Sequence, residues 1–195
     1  MNTLVSAIIP AAGNSIRMGK HKALLRHYNH MSFAGHLINI YRQSGCSPVV
    51  VVVNEEVESD IFQTDGAVVV INKEVAMGRS HSIRLGSYQI QEGCHCFIHN
   101  VDNPFLELLL IEKLRDAITP DRYAVPVYNG KAGHPVLLGS LIVDDIRRRP
   151  SHMDFKEVLS SFQRIEVTFP DERIFWNINT PDDYMEFLRT TMPNR

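Results

Sequence analysis

The apolar positions of this chain fall into short continuous runs that alternate with longer segments of helical spacing. The run Val49–Val53 is entirely β-branched and suits a strand buried on both faces, as in a parallel sheet. Similar runs predict strands at Val5–Ile9, Ala67–Ile71 and Cys96–His99. Apolar residues three and four apart predict helices at Phe33–Ser44, Ser80–Gln91 and Glu107–Ile118. This alternation predicts an α/β fold with a doubly wound, mostly parallel, Rossmann-like sheet.

The pattern changes after Pro120. Asn129-Gly130 is typical of a two-residue hairpin turn, and we expect the apolar segments beside it to pair as strands, Tyr123–Val127 and Pro135–Leu138. Thr180-Pro181-Asp182-Asp183 has the cap, the proline and the acidic residues of a helix start. Further elements are predicted as short helices at Leu141–Arg148 and Phe155–Phe162, a half-exposed strand at Ile165–Phe169 and a candidate strand at Ile174–Ile178. We expect one domain over residues 1–195, with a small β-rich insertion.

The composition is that of an ordinary globular protein, with 44% hydrophobic and 22% charged residues. A net charge of −2 gives no reason to expect nucleic acid as a partner. The first apolar run is too short for a signal or membrane helix, so no membrane partner is expected. Three cysteines without framework spacing indicate a reducing compartment, which we interpret as the cytoplasm.

A zinc site at Cys94-His95-Cys96 and His99 is disfavoured by the strand period. On a strand the two cysteines face away from the two histidines, so four ligands would not converge. We interpret the cysteines as buried strand residues.

The stretch from Ile8 to Leu25 is the main candidate for a binding site. It is predicted to run from strand through a tight loop into a helix, which places the loop where open α/β sheets bind ligands. Small residues at Ala11, Ala12 and Gly13 would let backbone N–H groups approach phosphates, and Arg17 and Lys22 would contact phosphate oxygens. The spacing fits neither a P-loop nor a dinucleotide fingerprint.

The loop reads Ala-Ala-Gly-x-Ser-x-Arg-Met-Gly-x-x-Lys-x-Leu-Leu from Ala11 to Leu25. This pattern resembles the signature of the MobA-like nucleotidyltransferases, which include molybdenum-cofactor cytidylyl- and guanylyltransferases. The resemblance implies that the backbone from Ala11 to Ser15, Asn14 included, approaches the nucleotide. It also implies that Lys22 acts on the α-phosphate.

Asp102 follows a buried-looking strand directly, so its carboxylate should face the ligand crevice. Mg²⁺ needs only one or two carboxylates when substrate phosphates complete its shell. The sequence Asp102-Asn103-Pro104 also resembles the family's Asp-x-Pro metal motif, which implies that Asp102 binds Mg²⁺.

Three later segments resemble family motifs. Gly78, Ser80 and Ser82 match a second nucleotide segment, in which Gly78 permits close approach and the serines read the base edge; Ser80 would also suit a helix cap. His134 lies in a Gly-His-Pro-Val-Leu segment near the expected acceptor entrance. Asn177 and Asn179 occupy the closing motif and alternate with Ile178, so both are expected to point the same way and offer amide oxygens to the metal.

The resemblance implies an EC 2.7.7-type nucleotidyltransferase that joins the NMP part of an NTP to a phosphorylated acceptor and releases pyrophosphate. Arg17, Lys22 and Asp102 are its expected catalytic residues, and molybdopterin is a candidate acceptor. Ala12 stands where cytidylyl members also carry alanine, which favours CTP. The closing motif with Asn177 and Asn179 instead resembles that of guanylyl members. A sugar-phosphate or alcohol-phosphate nucleotidyltransferase of the same fold and a non-catalytic nucleotide- or cofactor-binding relative are alternatives. A homo-oligomer or a delivery enzyme is a further candidate partner.

Overall fold

The computed structural model describes residues 4–27, 30–57, 66–150 and 153–191, which form a mixed α/β fold. Within these ranges eight strands form one sheet in the order β3-β2-β1-β4-β7-β5-β6, with β8 beside β5. The strands are β1 Val5–Pro10, β2 Val49–Val53, β3 Val68–Ile71, β4 His95–Ile98, β5 Arg122–Tyr128, β6 Lys131–Ala132, β7 Val136–Leu138 and β8 Gln163–Thr168. Strands β1 to β4 are parallel, β8 is parallel to β5, and β7 runs antiparallel to β4 and β5. The prediction of a mostly parallel sheet is therefore confirmed.

Helices cover both faces of this sheet. They are α1 Phe33–Gln43, α2 Gly78–Ser87, α3 Leu108–Ala117, α4 Ser140–Arg148, α5 Phe155–Ser160 and α6 Pro181–Thr191. Helices α1, α3 and α6 bury apolar residues on one face, and α2, α4 and α5 do so on the other. Strand β2 supplies both cores, because Val49, Val51 and Val53 point to the first face. Val50 and Val52 point to the second. Among the described residues no helix is long and apolar enough to cross a bilayer.

The predicted hairpin is present. Asn129 and Gly130 connect β5 to β6 and both have positive φ, 48° and 76°, as a two-residue type I′ turn requires. The returning chain then pairs with β5 a second time through β7. Strand β8 alternates between exposed and half-buried residues along Ile165–Thr168, as the sequence predicted for a strand with one exposed face.

The prediction of a helix directly after the first loop was wrong. Two single 3₁₀ turns stand there, Ile16–Met18 and Lys22–Leu24, and the first α-helix begins only at Phe33. Ser15 and Gly19 take left-handed conformations on either side of the first turn, with φ of 49° and 69°. A right-handed helix cannot propagate through these residues.

The candidate strand at Ile174–Ile178 was also wrong. Residues Glu172–Phe175 form a 3₁₀ turn instead. The Asp171 carboxylate accepts the N–H of Arg173 at 2.9 Å and also pairs with its guanidinium, so local side-chain bonding favours the turn. The apolar residue Ile174 is buried in the core, but it does not belong to a strand.

The cysteines near β4 are core residues, as predicted. Cys94 and Cys96 are buried in the second apolar cluster. His95 is buried as well, and its Nδ1 accepts the N–H of Ser140 at the start of α4 at 3.0 Å. Burial lowers the pKa of His95, which agrees with its role as a neutral acceptor.

Gly86 allows α2 to lie close against the sheet. A Cβ at this position would lie 2.8 Å from Cγ2 of Ile8 and 3.2 Å from Cγ2 of Val52. Both side chains are buried in the core, so neither can swing aside into solvent. The glycine therefore sets the distance between α2, which carries part of the cleft described below, and strands β1 and β2.

We predict that Gly86→Ala destabilises the fold. Overpacking a core costs about 1–3 kcal/mol, which exceeds the gain of at most ~1 kcal/mol when alanine replaces glycine in a helix. The free energy of unfolding in urea measures the difference. Gly13→Ala is the matched control, because the structure has no atom within 4 Å of the new Cβ and the backbone is not strained there. An unchanged or higher stability of Gly86→Ala would contradict the close packing.

Candidate active site

A cleft of about 850 Å³ opens at the carboxyl ends of the parallel strands. Its wall is formed by the segments after β1, β3 and β4, by the start of α2 and by the chain before α6. The lining residues are Pro10–Arg17, Lys22, Asn72, Val75, Ala76, Gly78, Arg79, Ser82, Asn100, Val101, Asp102 and Asn179. Its position is the one that open α/β sheets use for ligands.

The first loop presents backbone and small side chains to this cleft. Ala11 and Ala12 are buried, and the Ala11 N–H is bonded to the carbonyl of Val52 at 2.7 Å, which continues the sheet into the loop. Gly13 and Asn14 are exposed. The Ser15 hydroxyl accepts the N–H of Lys22 at 3.1 Å and so closes the loop behind the open backbone.

Lys22, Asp102 and Asn179 meet at one end of the cleft. The Lys22 Nζ lies 3.2 Å from Oδ2 of Asp102 and donates to Oδ1 of Asn179 at 2.7 Å. The sequence separations are 80 and 157 residues, so the contact brings distant segments together. Only 15% of the Lys22 side chain and 24% of the Asp102 side chain are exposed. The ammonium is therefore held in place, whereas Arg17 lies in the same cleft with an exposed side chain.

A buried hydrogen-bond network supports the loop that carries Asp102. His99 is fully buried, with Nδ1 bonded to the Tyr41 hydroxyl and Nε2 bonded to the carbonyl of Asn103, both at 2.8 Å. Because a carbonyl only accepts, Nε2 carries the proton and Nδ1 accepts from Tyr41. Burial lowers the pKa of His99 to about 3, so the ring stays neutral.

The segment before α6 is tied to the same loop. The Ile178 N–H donates to the carbonyl of Asp102 at 2.7 Å. The carboxylate of Asp183 accepts the N–H groups of Asn179 and Thr180 at 2.9 and 2.8 Å. These bonds, that of Asn179 foremost, lower the pKa of Asp183. The backbone around Asn179 is thus fixed from both sides.

The residues of the second predicted nucleotide segment do not all face the cleft. Ser82 lines the cleft, and its Oγ accepts a hydrogen bond from Nδ2 of the buried Asn72 at 3.0 Å. Gly78 lines the cleft with φ of 76°. Ser80 does not line it, because its hydroxyl accepts the N–H of Phe155 at 2.9 Å and links α2 to α5. Nor does Ser80 cap α2, which begins two residues earlier at Gly78.

His134 and Asn177 also lie outside the cleft lining. His134 Nε2 is 3.3 Å from Nδ2 of Asn100. Burial first, and then the charge of Arg79, lower the pKa of His134 to about 4. The exposed amide of Asn177 donates to the carbonyl of Phe175 at 3.0 Å. The two asparagines of the closing motif therefore do not point into the same space, since only Asn179 reaches the cleft.

The sequence model of the MobA-like NTP transferase domain matches residues 7–165 of this chain. The chain belongs to the MobA-like NTP transferase family. An enzyme of this family is a nucleotidyltransferase, so an NTP and a phosphorylated acceptor are its substrates.

The chain is also similar to individual proteins of known sequence or structure. The molybdenum cofactor cytidylyltransferase of Escherichia coli (strain K12) is 25% identical over 184 residues, which cover 93% of this chain and 94% of that protein. The crystal structure of Rv0371c from Mycobacterium tuberculosis H37Rv is 19% identical, with a TM-score of 0.80 and coverage of 97% and 100% of the two chains. The same Mycobacterium protein has been solved in complex with manganese, with a TM-score of 0.77. A nucleotidyl transferase from Methanothermobacter thermautotroptrophicus is 20% identical, with a TM-score of 0.78 and coverage of 96% and 99%.

The residues of this MobA-like chain fit a divalent metal between Asp102 and Asn179. Oδ1 of Asp102 is buried and has no hydrogen-bond partner in the described part of the chain. Oδ1 of Asn179 is the second candidate ligand, because it and the other carboxylate oxygen of Asp102, Oδ2, both contact the Lys22 ammonium. The described residues contain no cluster of three or more His, Cys, Asp or Glu, so phosphates would have to complete the shell. Mg²⁺ binds in this manner, through one or two carboxylates together with substrate phosphates.

Three polar side chains of the cleft were not predicted as site residues from the sequence, namely Asn72, Arg79 and Asn100. Asn72 and Asn100 follow strands β3 and β4 by one and two residues. The rule that led to Asp102, that polar residues at the carboxyl ends of parallel strands face the ligand, would have identified both. Arg79 carried no such signal, because an arginine near the start of a helix is usually solvated.

Proposed function

We propose that this enzyme transfers the CMP part of CTP, with Mg²⁺, to the phosphate of an acceptor and releases pyrophosphate. The observation that carries the proposal is the Lys22–Asp102–Asn179 contact at the end of a cleft whose other wall is a loop of small residues. This arrangement offers a fixed cation, oxygen ligands and open backbone N–H groups to a triphosphate. We further propose that residues 1–195 form one domain.

The reaction needs positioning and charge neutralisation more than proton transfer. An oxygen of the acceptor phosphate attacks the α-phosphorus of the NTP, a new phosphorus–oxygen bond forms, and the bond to the β-phosphate breaks with pyrophosphate as the leaving group. The acceptor phosphate is already ionised at neutral pH, so no general base is required. Catalysis then depends on holding the groups in line and offsetting the developing negative charge.

Lys22 is proposed to stabilise that charge. Its Nζ is bonded to Asp102 and Asn179, so the ammonium is oriented before substrate arrives. Asp102 and Asn179 would hold Mg²⁺, which when bound would neutralise phosphate oxygens. The ammonium has three N–H donors, so one remains for the α-phosphate while the other two stay on Asp102 and Asn179. Arg17, whose side chain is exposed, would bind the outer phosphates with its planar fork.

The choice of base is proposed to rest on Ala12 and Ser82. Oδ1 of Asn72 accepts the N–H of Glu74 at 2.8 Å, so its Nδ2 is the group that donates to Ser82. The Ser82 hydroxyl is thereby left to donate into the cleft, towards a base acceptor such as N3 or O2 of cytosine. Ala12 lines the same cleft, and its methyl is proposed to limit the base pocket and so to favour the smaller pyrimidine.

The acceptor is proposed to be a molybdopterin-type phosphate. The support is the Escherichia coli relative, a molybdenum cofactor cytidylyltransferase that aligns over 93% of this chain. A sugar-phosphate or alcohol-phosphate acceptor is the alternative on the same fold, and non-catalytic nucleotide binding is the alternative from another class. Pyrophosphate release from a panel of NTPs, each with molybdopterin, sugar-phosphate and alcohol-phosphate acceptors, separates them. No release with any pair would overturn the proposed function.

We predict that Lys22→Ala lowers kcat by about a hundredfold or more, the scale of losing one preorganised contact to the transition state. The reason is that the ammonium acts where charge builds on the α-phosphate. Steady-state pyrophosphate release measures the change, with Lys20→Ala as the control for loss of a neighbouring exposed cation. A variant with unchanged kcat and only a raised KM would show that Lys22 binds the ground state instead.

We predict that the enzyme prefers CTP over GTP by at least roughly tenfold in kcat/KM, equivalent to about 1.4 kcal/mol. Ala12→Gly should reduce this ratio, because it removes the methyl that limits the base pocket. Ser82→Ala should lower kcat/KM for CTP, because a donor to the base is lost. Initial rates with each nucleotide at fixed acceptor concentration measure the ratios. A wild-type preference for GTP would mean that Ala12 does not set the pocket.

A further inference from the structure

Arg79 places a guanidinium on the wall of the cleft formed by α2. It is exposed, lines the cleft and donates from Nη1 to Oδ1 of Asn100 at 3.3 Å. Its Cζ lies 5.7 Å from the centroid of the Phe155 ring. Across the described ranges no carboxylate comes within 4.0 Å of it, whereas Lys22 is paired with Asp102. A guanidinium has five N–H donors, so most of its donors remain available to a ligand.

Asn100 holds this guanidinium from one side. Its Oδ1 accepts from Arg79, and its Nδ2 lies 3.3 Å from Nε2 of His134. The amide therefore donates to an unprotonated ring nitrogen, and His134 is neutral in this arrangement. The lowered pKa of His134, about 4, agrees with this assignment. Arg79 is thus the positive charge of the cluster Arg79–Asn100–His134.

The cluster belongs to other segments of the cleft wall than the cations assigned to the triphosphate. Arg17 and Lys22 belong to the loop after β1, whereas Arg79 belongs to α2 and contacts the segment after β4. The first turn of α2 has no side-chain cap, so its partial positive charge adds to that of Arg79. A reaction between two phosphorylated substrates requires a second anion site near the first. The guanidinium suits a phosphate, which it can bind through two parallel bonds.

We propose that Arg79 binds the phosphate of the acceptor and that the acceptor enters between α2 and the segment around His134. This inference rests on the proposed function, since it assigns the second substrate of the same reaction. It replaces His134, which the sequence indicated, with Arg79 as the residue that contacts the acceptor. His134 instead contributes through Asn100.

Binding measurements with Arg79→Gln test the inference. The probes are the α,β-methylene analogue of CTP with Mg²⁺, and inorganic phosphate titrated onto the protein both without nucleotide and saturated with that analogue. We expect Arg79→Gln to bind the analogue as the wild type does and to lose phosphate affinity by at least roughly tenfold, the effect of removing a charge-assisted bidentate contact. Arg79→Lys should recover part of the phosphate affinity, because it keeps the charge without the fork.

Arg148→Gln is the matched control, because it removes the same charge from an exposed position on α4 outside the cleft. Phosphate affinity should not change in this variant. The inference is overturned if wild type binds no phosphate, if Arg79→Gln binds it undiminished, or if Arg79→Gln loses affinity for the CTP analogue equally. A different result would overturn the choice of nucleotide and leave this inference standing. In that case the wild type does not bind the CTP analogue, but its phosphate binding still depends on Arg79.

Discussion

The contact of the Lys22 ammonium with Asp102 and Asn179 is the interaction on which the site depends. It can form only because β1 and β4 are neighbours in the sheet, paired from Val5 with His95 to Ile8 with Ile98. The segments that follow these strands therefore emerge side by side. The bond between the Ile178 N–H and the Asp102 carbonyl brings the third segment to the same place. The sheet order thus converts three distant stretches of sequence into one cluster.

The charged side chains of the cleft differ in how strongly neighbouring residues fix their positions. Lys22 is mostly buried and bonded to two partners, so little side-chain entropy remains to be lost when substrate binds. Arg17 is exposed on the loop and can follow the outer phosphates. Asp102 rests on a buried neutral histidine network, which keeps its loop in place without adding a competing charge. Such preorganisation is what a reaction without proton transfer requires.

Much of this fold could be predicted from the sequence, because the buried strands are β-branched runs and their ends are marked by small or polar residues. The same logic located Lys22 and Asp102. It failed where local bonding overrides the pattern, as at Asp171, whose bonds to Arg173 turn the chain at Ile174. The shared orientation expected for Asn177 and Asn179 was also wrong, because the Asn177 amide donates to the carbonyl of Phe175 whereas Asn179 lines the cleft.

Which polar side chains face the cleft was harder to predict than where the strands and helices lie. Ser80 and His134 matched motifs, yet their hydrogen bonds go to Phe155 and Asn100 rather than into the cleft. Arg79 matched nothing and faces the cleft. Which way these side chains point depends on the contacts of α2 with α5 and with the segment after β4, and those are contacts between residues far apart in the chain. A single sequence does not record them.

The central claim is that Asp102 holds the divalent metal that the triphosphate needs. Calorimetric titration of Mg²⁺ onto enzyme saturated with a non-hydrolysable CTP analogue tests it most directly, with Asp102→Asn as the variant and Asp116→Asn, an exposed position on α3, as the control. The account predicts that Asp102→Asn loses most of the Mg²⁺ affinity while the control binds as the wild type does. Undiminished Mg²⁺ binding by Asp102→Asn would contradict the account and remove Asp102 from the metal site.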